Sequence, residues 1–371
     1  MQPKDILVGV KASQLALGKP VPYPVYNKTG RLLFAKHKVL ATQSQREHLV
    51  RDGLFLIEFP SNGQSVQDLI TELKLNLAKA FKHMDKQRHE PFVRQVMQLA
   101  LDIQHHCDKQ QDALLGAVHA DHGAIYWQIH PIHCAVMCEI VAKHISMPQL
   151  ERVSLLCAAL TQNIGFYKVQ EELHNKTEAL SEDEAQMIRQ HPMRSYQMLV
   201  EAGVNDNFWL DAVRNHHERI DGSGYPFGLK EFLVSTPSKI IAIADIYAAA
   251  TRSRNYSDAT LSRDAMQEIF NERGKSVCEH LTKSFVSQVS IYPPGTYVQL
   301  SNKEIGIVQA RTEEMSKPKV GVVIDSQGNL LKDIVIRHSS ESKYTIVQVL
   351  PFSQYKKLDS YLPQLWPKFT D

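Results

Sequence analysis

Apolar and polar positions change their pattern three times along the chain. Residues 1 to about 60 carry short β-type runs, PVPYPVY at 20–26 and LFLIEF at 54–59, punctuated by Pro and Gly. The segment after Ser65 places Val66, Leu69, Ile70, Leu73 and Leu77 at helical intervals behind polar cap-type residues, so a helix is expected to begin near residue 64. A charged stretch, HMDKQRHEP at 83–91, lacks apolar periodicity and contains a Pro, which predicts a linker. The first 82 residues (1–82) are therefore expected to form a small mixed α/β module, sensory or regulatory in role.

From 91 to 291 the pattern is almost wholly helical. Two runs, VSLLCAAL at 153–160 and IIAIADIYAAA at 240–250, are apolar nearly all round, as helices buried inside a bundle are. After YPPG at 292–295 the texture changes to alternating β-branched runs (TYVQL, EIGIVQA, KVGVVID, DIVIRH, YTIVQVL) with turn residues between them, notably SQGN at 326–329. A small antiparallel sheet over 292–371 is expected, and the fold class is mainly α with that β-rich appendage.

Composition narrows the function classes. The chain has 371 residues, with 42 Lys plus Arg against 40 Asp plus Glu, so nothing in the overall charge argues for a nucleic-acid polymer as partner. The five cysteines are odd in number and sit largely in helical patterns, which suits a reducing compartment. No basic-then-apolar leader and no apolar window of 18 residues is present, and a cytoplasmic protein without a membrane span is expected. The outlier is histidine, with 17 residues, many of them between His105 and His217. Histidine is the commonest metal ligand, yet clustering taken alone is better explained by solvated helix faces.

The most specific string is HHERIDGSGYPFGL, from His216 to Leu229. Two adjacent imidazoles precede a turn in which Gly222 and Gly224 allow close backbone approach and Pro226 stiffens the exit. Asp245 lies within an apolar run, where an unpaired carboxylate would be costly to bury and needs a cation or a donor. Taken singly, each imidazole is explained by a core histidine with one hydrogen bond. Cys134 and Cys138, one helical turn apart, could serve as soft metal ligands or a redox pair, but inside CAVMCEIVA they read as buried thiols packing as small hydrophobes.

HHERIDGSGYP matches the signature HHExxDGxGYP, and RQHPM around His191, IADIYAAATRSRNY from Ile243 to Tyr256 and YPPGTYVQLSN extend the match, so the chain resembles the HD-GYP family. The likeness spans roughly residues 110–310. It implies an HD-type helical bundle in which a two- or three-metal centre, commonly iron or manganese, hydrolyses cyclic di-GMP. On that resemblance His130, His191, His216, His217 and Asp245 occupy ligand positions, and Tyr225 and Arg254 occupy positions that touch the dinucleotide. The loop residues Asp221, Gly222, Gly224, Tyr225 and Pro226 correspond to a surface implicated in contacting diguanylate cyclase (GGDEF) domains. His133, three residues from His130, has no counterpart among the family's ligands.

The departure lies in LLCAALTQNIGFYKV. Where the family has His, Asp and Lys, this chain has Gln162, Asn163 and Phe166. Neutral amides neither offset a divalent charge nor bridge two ions well. A family Glu one turn before the first His is Tyr126, and the usual basic residue after Arg254, Asn255 and Tyr256 is Ser257. The expectation is one divalent ion (iron, manganese or zinc) or none, with His191, His216 and His217 as its imidazoles and Asn163 or water completing the shell. Three functions follow: a regulatory HD-GYP relative with impaired catalysis, acting through protein contacts and nucleotide binding; a weak metal-dependent cyclic di-GMP phosphodiesterase; and a scaffold in which the histidines are relics.

Overall fold

The computed structural model of the chain describes residues 7–10, 15–21, 25–26, 32–34, 38–52, 54–56, 65–252 and 260–368. They fall into two compact units, 1–61 and 62–371. In the first, strands β1 (Leu7–Gly9), β2 (Val25–Tyr26), β3 (Leu32–Phe34) and β4 (Leu54–Leu56) form an antiparallel sheet in the order β1-β4-β2-β3, accompanied by helix α1 (Gln43–Asp52). Its core is Val10, Leu15, Val21, Val25, Phe34, Leu40 and Leu49. The runs at 20–26 and 54–59 supply β2 and β4.

The second unit opens with α2 (Val66–Asp85), capped by Ser65, whose Oγ accepts the Asp68 N–H at 3.2 Å. The five predicted stripe residues are all buried, together with Ala80, Phe81 and Met84, and the helix packs on α3 (His89–Ala120). This corrects the expected domain boundary. The charged stretch 83–91 is the end of α2, a connection at 86–88 and the first turn of α3. Gln87 adopts a positive φ of 53° there, and the Arg88 N–H donates to His83 O at 2.9 Å. Charge at that turn reflects solvation between two packed helices, not a hinge between modules.

Among the described residues eight further α-helices follow before the sheet: α4 (Tyr126–His144), α5 (Gln149–Thr161), α6 (Tyr167–Asn175), α7 (Glu182–Glu201), α8 (Asn207–Asn215), α9 (Thr236–Ala250), α10 (Ser262–Asn271) and α11 (Glu279–Val289). Helix α4 is the axis of the bundle. Every residue from Ile129 to Ala142 is buried, because α3, α5, α9 and α11 surround it. That all-round burial leaves no polar face, and it requires each polar side chain on α4 to find a partner inside the bundle.

The C-terminal strands β5 (Tyr297–Leu300), β6 (Ile305–Ala310), β7 (Lys319–Ile324), β8 (Leu330–His338) and β9 (Ile346–Val349) form an antiparallel sheet in the order β8-β7-β6-β5-β9. The SQGN turn joins β7 to β8, with Gly328 at φ 89°. The sheet is not a separate domain, which corrects the division at 291/292. Trp366 lies against Gly116 of α3 so closely that a Cβ there would come within 2.3 Å of the indole, and its Nε1–H donates to Gln309 O at 2.8 Å. Arg311, following β6, donates to Gln111 Oε1 on α3 at 2.6 Å.

A fragment comprising residues 62–371 is expected to unfold cooperatively, whereas one starting at residue 91 should be less stable by several kcal/mol. The shorter fragment uncovers the α3 surface that buries Leu69, Leu73 and Leu77, each worth about 1.5–3 kcal/mol. Urea titration of the two fragments checks this, and equal midpoints would contradict the α2 assignment.

Candidate metal centre

Four elements deliver the histidines and the aspartate to one place. His130 comes from α4 and Asp245 from α9. His191 comes from α7, which starts in a capping box formed by Ser181 and Glu184. Helix α8, capped by Asp206, stops at Asn215, so that His216 and His217 fall in the turn that follows. All but His217 and Asp245 are fully buried, and those two are partly so.

The ring tautomers can be read from the backbone. Nδ1 of His191 faces Ile188 O at 2.6 Å and Nδ1 of His216 faces Val213 O at 2.7 Å. A carbonyl only accepts, so each Nδ1 carries a hydrogen and each Nε2 presents a lone pair. The two Nε2 atoms lie 3.1 Å apart. Burial, followed by the neighbouring His216, pushes the His191 pKa down to about 3, and burial lowers His216 and His217 as well. Two facing lone pairs on neutral rings repel unless a cation lies between them. Nitrogen ligands ~2.0–2.1 Å from a tetrahedral ion stand roughly 3.3 Å apart, close to the observed spacing. With His217, the ligand atoms of these three residues lie within 4.8 Å of one another.

A second group stands beside the first. His130 Nε2 is 2.9 Å from Asp245 Oδ1 and 3.7 Å from Cys134 Sγ. Asp245 also reaches toward the imidazole trio, with Oδ2 4.0 Å from His217 Nδ1. Burial pushes the Asp245 carboxyl up, but the hydrogen bond from His130 and the surrounding imidazoles more than offset this and hold it below the usual carboxylate range. Cys134, read from the sequence as a packing thiol, stands four residues from His130 and so on the same side of α4.

Both groups open onto a cavity of about 390 Å³. Asn163, after the end of α5, lines it, and its Oδ1 is buried with no hydrogen-bond partner among the described residues. Gln162 is fully buried behind it, with neither amide atom in hydrogen-bond geometry among the described residues. Phe166 packs on His191, with ring centroids 4.4 Å apart, and Tyr126 stacks on His130 at 4.9 Å. His133 belongs to neither group; its ring lies 5.7 Å from that of His119. Arg254 lies outside the described residues.

The loop from His216 to Leu229 is fastened from within. Tyr225 stacks on His217, with centroids 4.6 Å apart, and its N–H donates to His217 O at 3.2 Å. A Cβ at Gly224 would fall 2.3 Å from Arg219 N, so the chain can cross itself here only with glycine. Asp221 accepts from the Ser223 N–H at 2.9 Å, Gly222 has φ 86°, and the Tyr225–Pro226 peptide is cis. The buried Glu218 carboxylate accepts from the N–H groups of Phe227 at 2.7 Å and Leu229 at 2.8 Å. Its role could be seen only once the loop had folded back on it.

Residues 94–277 match the family model described as HD domain. Over 224 residues the chain is 28% identical to a cyclic di-GMP phosphodiesterase of Pseudomonas aeruginosa, covering 60% of this chain and 54% of that protein. Over 202 residues it is 26% identical to the cyclic di-GMP phosphodiesterase PdeB of Borreliella burgdorferi, covering 54% and 53%. A 3'3'-cGAMP-specific phosphodiesterase of Vibrio cholerae shares 31% over 175 residues, covering 47% and 39%. The chain thus aligns with about half the length of the first two relatives. The solved structure of an HDG"Y"P protein from Bdellovibrio bacteriovorus shares the fold, with a TM-score of 0.52 at 12% identity over 76% of this chain and 98% of that one. The bundle, its inward-facing imidazoles and these matches define an HD-domain protein. Within that class, the chain belongs to the HD-GYP family.

HD-domain phosphodiesterases are metal-dependent, and the facing lone pairs of His191 and His216 fit a bound cation. Among the described residues no helix is long and apolar enough to cross a membrane.

Replacing Glu218 by Ala is expected to cost about 2–3 kcal/mol, since two backbone donors lose a charged acceptor in a buried place. Amide exchange at Phe227 and Leu229 should accelerate while that of α4 is unchanged. Unaltered exchange at those two amides would show that the carboxylate does not hold the loop.

Proposed function

We propose that this chain acts in cyclic di-GMP signalling as a metal-binding protein with impaired hydrolysis, working through nucleotide binding and through contacts made by the loop 216–229. The observation that carries this reading is Asn163. A neutral amide lines the metal-facing cavity at the family's Asp position, and an amide can contribute one carbonyl oxygen to an ion but not the charge that lets a carboxylate join two.

The rest of the cavity supports the same reading. Phe166 brings an apolar ring against His191 at the family's Lys position. Lys176 is the one Lys or Arg among the described residues lining the cavity, and both Glu184 oxygens hold its ammonium, at 2.6 and 2.7 Å. A dianionic dinucleotide would therefore meet little free positive charge from these side chains, while Tyr126 and Tyr225 offer aromatic faces for its bases. His191, His216 and His217 would hold an ion, whose contribution is Lewis-acid polarisation of a phosphoryl oxygen. Phe227 in the loop, and Phe232 and Leu233 just after it, are exposed apolar side chains that a protein partner, here a diguanylate cyclase domain, could cover.

A second reading, a weak phosphodiesterase, is favoured by Asp245. Its two oxygens address both groups, so a carboxylate able to join two ions is present even with Asn163 in place.

Hydrolysis of cyclic di-GMP by the purified chain, supplied with ferrous iron or manganese, is expected to be at least ~100-fold slower than that of intact relatives, the scale of a lost electrostatic contribution to the transition state. Turnover at the rate of the relatives, abolished by His217→Ala, would replace this reading with the second. Phe166→Lys should tighten cyclic di-GMP binding by about tenfold, as one charge-assisted contact to phosphate would. Isothermal titration calorimetry checks this, and unchanged affinity would place the phosphates away from residue 166.

A further inference from the structure

We infer that Cys134 is a metal ligand, and that His130, Cys134 and Asp245 form a second cation subsite suited to zinc or ferrous iron. The three ligand atoms lie within 4.8 Å of one another. Cys134 Sγ is 3.7 Å from His130 Nε2, and a tetrahedral ion with sulfur at ~2.3 Å and nitrogen at ~2.0–2.1 Å sets those atoms roughly 3.5 Å apart. Asp245 Oδ1 lies 2.9 Å from the same nitrogen, and the carboxylate offers an oxygen as the third ligand atom of the group. His130 and Cys134 are one turn apart on α4, the most enclosed helix of the bundle, so their relative placement is fixed by backbone geometry and packing.

Two further observations point to a ligand here. The Gln162 amide is completely buried and meets the Cys134 thiol, so a polar side chain lies against that sulfur deep inside the bundle. Polar groups are rarely left so deep without something to meet. The second is charge. Thiolate and carboxylate together carry two negative charges, which neutralise a divalent ion inside the bundle, while His130 adds a neutral donor. The position at 163 supplies no charge, and the thiol at 134 does. On binding, the ion takes the place of the Cys134 thiol proton and of the hydrogen that His130 Nε2 shares with Asp245, and both leave to solvent. Thiolate selects zinc, iron or cobalt over manganese and magnesium.

The test reads metal binding and not hydrolysis, so its failure leaves the proposed function standing. Metal-free full-length protein carrying Cys278→Ser, which removes the one thiol among the described residues that is not buried, is titrated with cobalt(II) alone. A near-ultraviolet thiolate-to-cobalt band is expected. It should vanish in Cys134→Ser with the loss of one bound ion per chain, and persist in Cys138→Ser, whose thiol is equally buried. A band that is absent from the Cys278→Ser protein, or that survives Cys134→Ser, overturns the assignment. If Cys134→Ser does not fold, X-ray absorption on zinc-loaded Cys278→Ser protein decides. A sulfur neighbour at ~2.3 Å upholds the assignment, and a shell of nitrogen and oxygen alone overturns it.

Discussion

Asp245 is the constraint around which the bundle is arranged. It is an anionic group on α9, a helix otherwise made of Ile, Ala and Tyr at these depths, and a buried carboxylate persists only if donors or cations surround it. His130 supplies a hydrogen bond from α4, and His217 approaches from the turn after α8. Three elements distant in sequence are thereby tied to one pair of oxygen atoms. His191 and His216 join through the opposite requirement: their Nε2 lone pairs face each other and call for positive charge. An anion seeking cations and paired lone pairs seeking one stand side by side, which is the electrostatic arrangement of a metal centre.

The loop is fastened to that centre from its inner side. Tyr225 stacks on His217, so the ring that closes the loop also covers one face of that imidazole. Glu218 satisfies two loop amides from beneath, and Gly224 lets the backbone cross within van der Waals range of His217 and Arg219. The buried imidazole of His217 and the exposed ring of Phe227 are therefore held by one loop, linked through the Tyr225 stack and the Glu218 carboxylate.

How much of this could be read from sequence depended on whether the signal was local. The stripe on α2, the β-branched runs of the sheet and the HHERIDGSGYP string are local patterns, and each formed where expected. The convergence of His130, His191, His216, His217 and Asp245 was legible only through resemblance, since no periodicity relates residues on four elements. What was misread had non-local causes. The charged turn at 83–91 looks like a linker until the burial of Leu69 and Leu73 on α3 is seen, and the contact that fastens the appended sheet, Trp366 against Gly116, joins residues 250 apart. Glu218 was passed over because its acceptor role exists only after Phe227 and Leu229 fold back over it.

Cys134 illustrates a further limit, one of chemistry more than of distance. In sequence a cysteine inside CAVMCEIVA is a small hydrophobe, and for Cys138 nothing in the structure changes that reading. The two thiols share a helix, a depth and a neighbourhood of apolar side chains. They differ in that Cys134 is four residues from His130, whose ring is already turned toward Asp245, whereas Cys138 is eight residues from it, two turns along the axis. The same residue type thus reads as packing or as ligand according to one turn of helix. In this chain the amide at 163 brings no charge to the cavity, whereas the sulfur at 134 stands beside His130, so the electrostatic demand of a buried cation can be met by an anion the family pattern does not include.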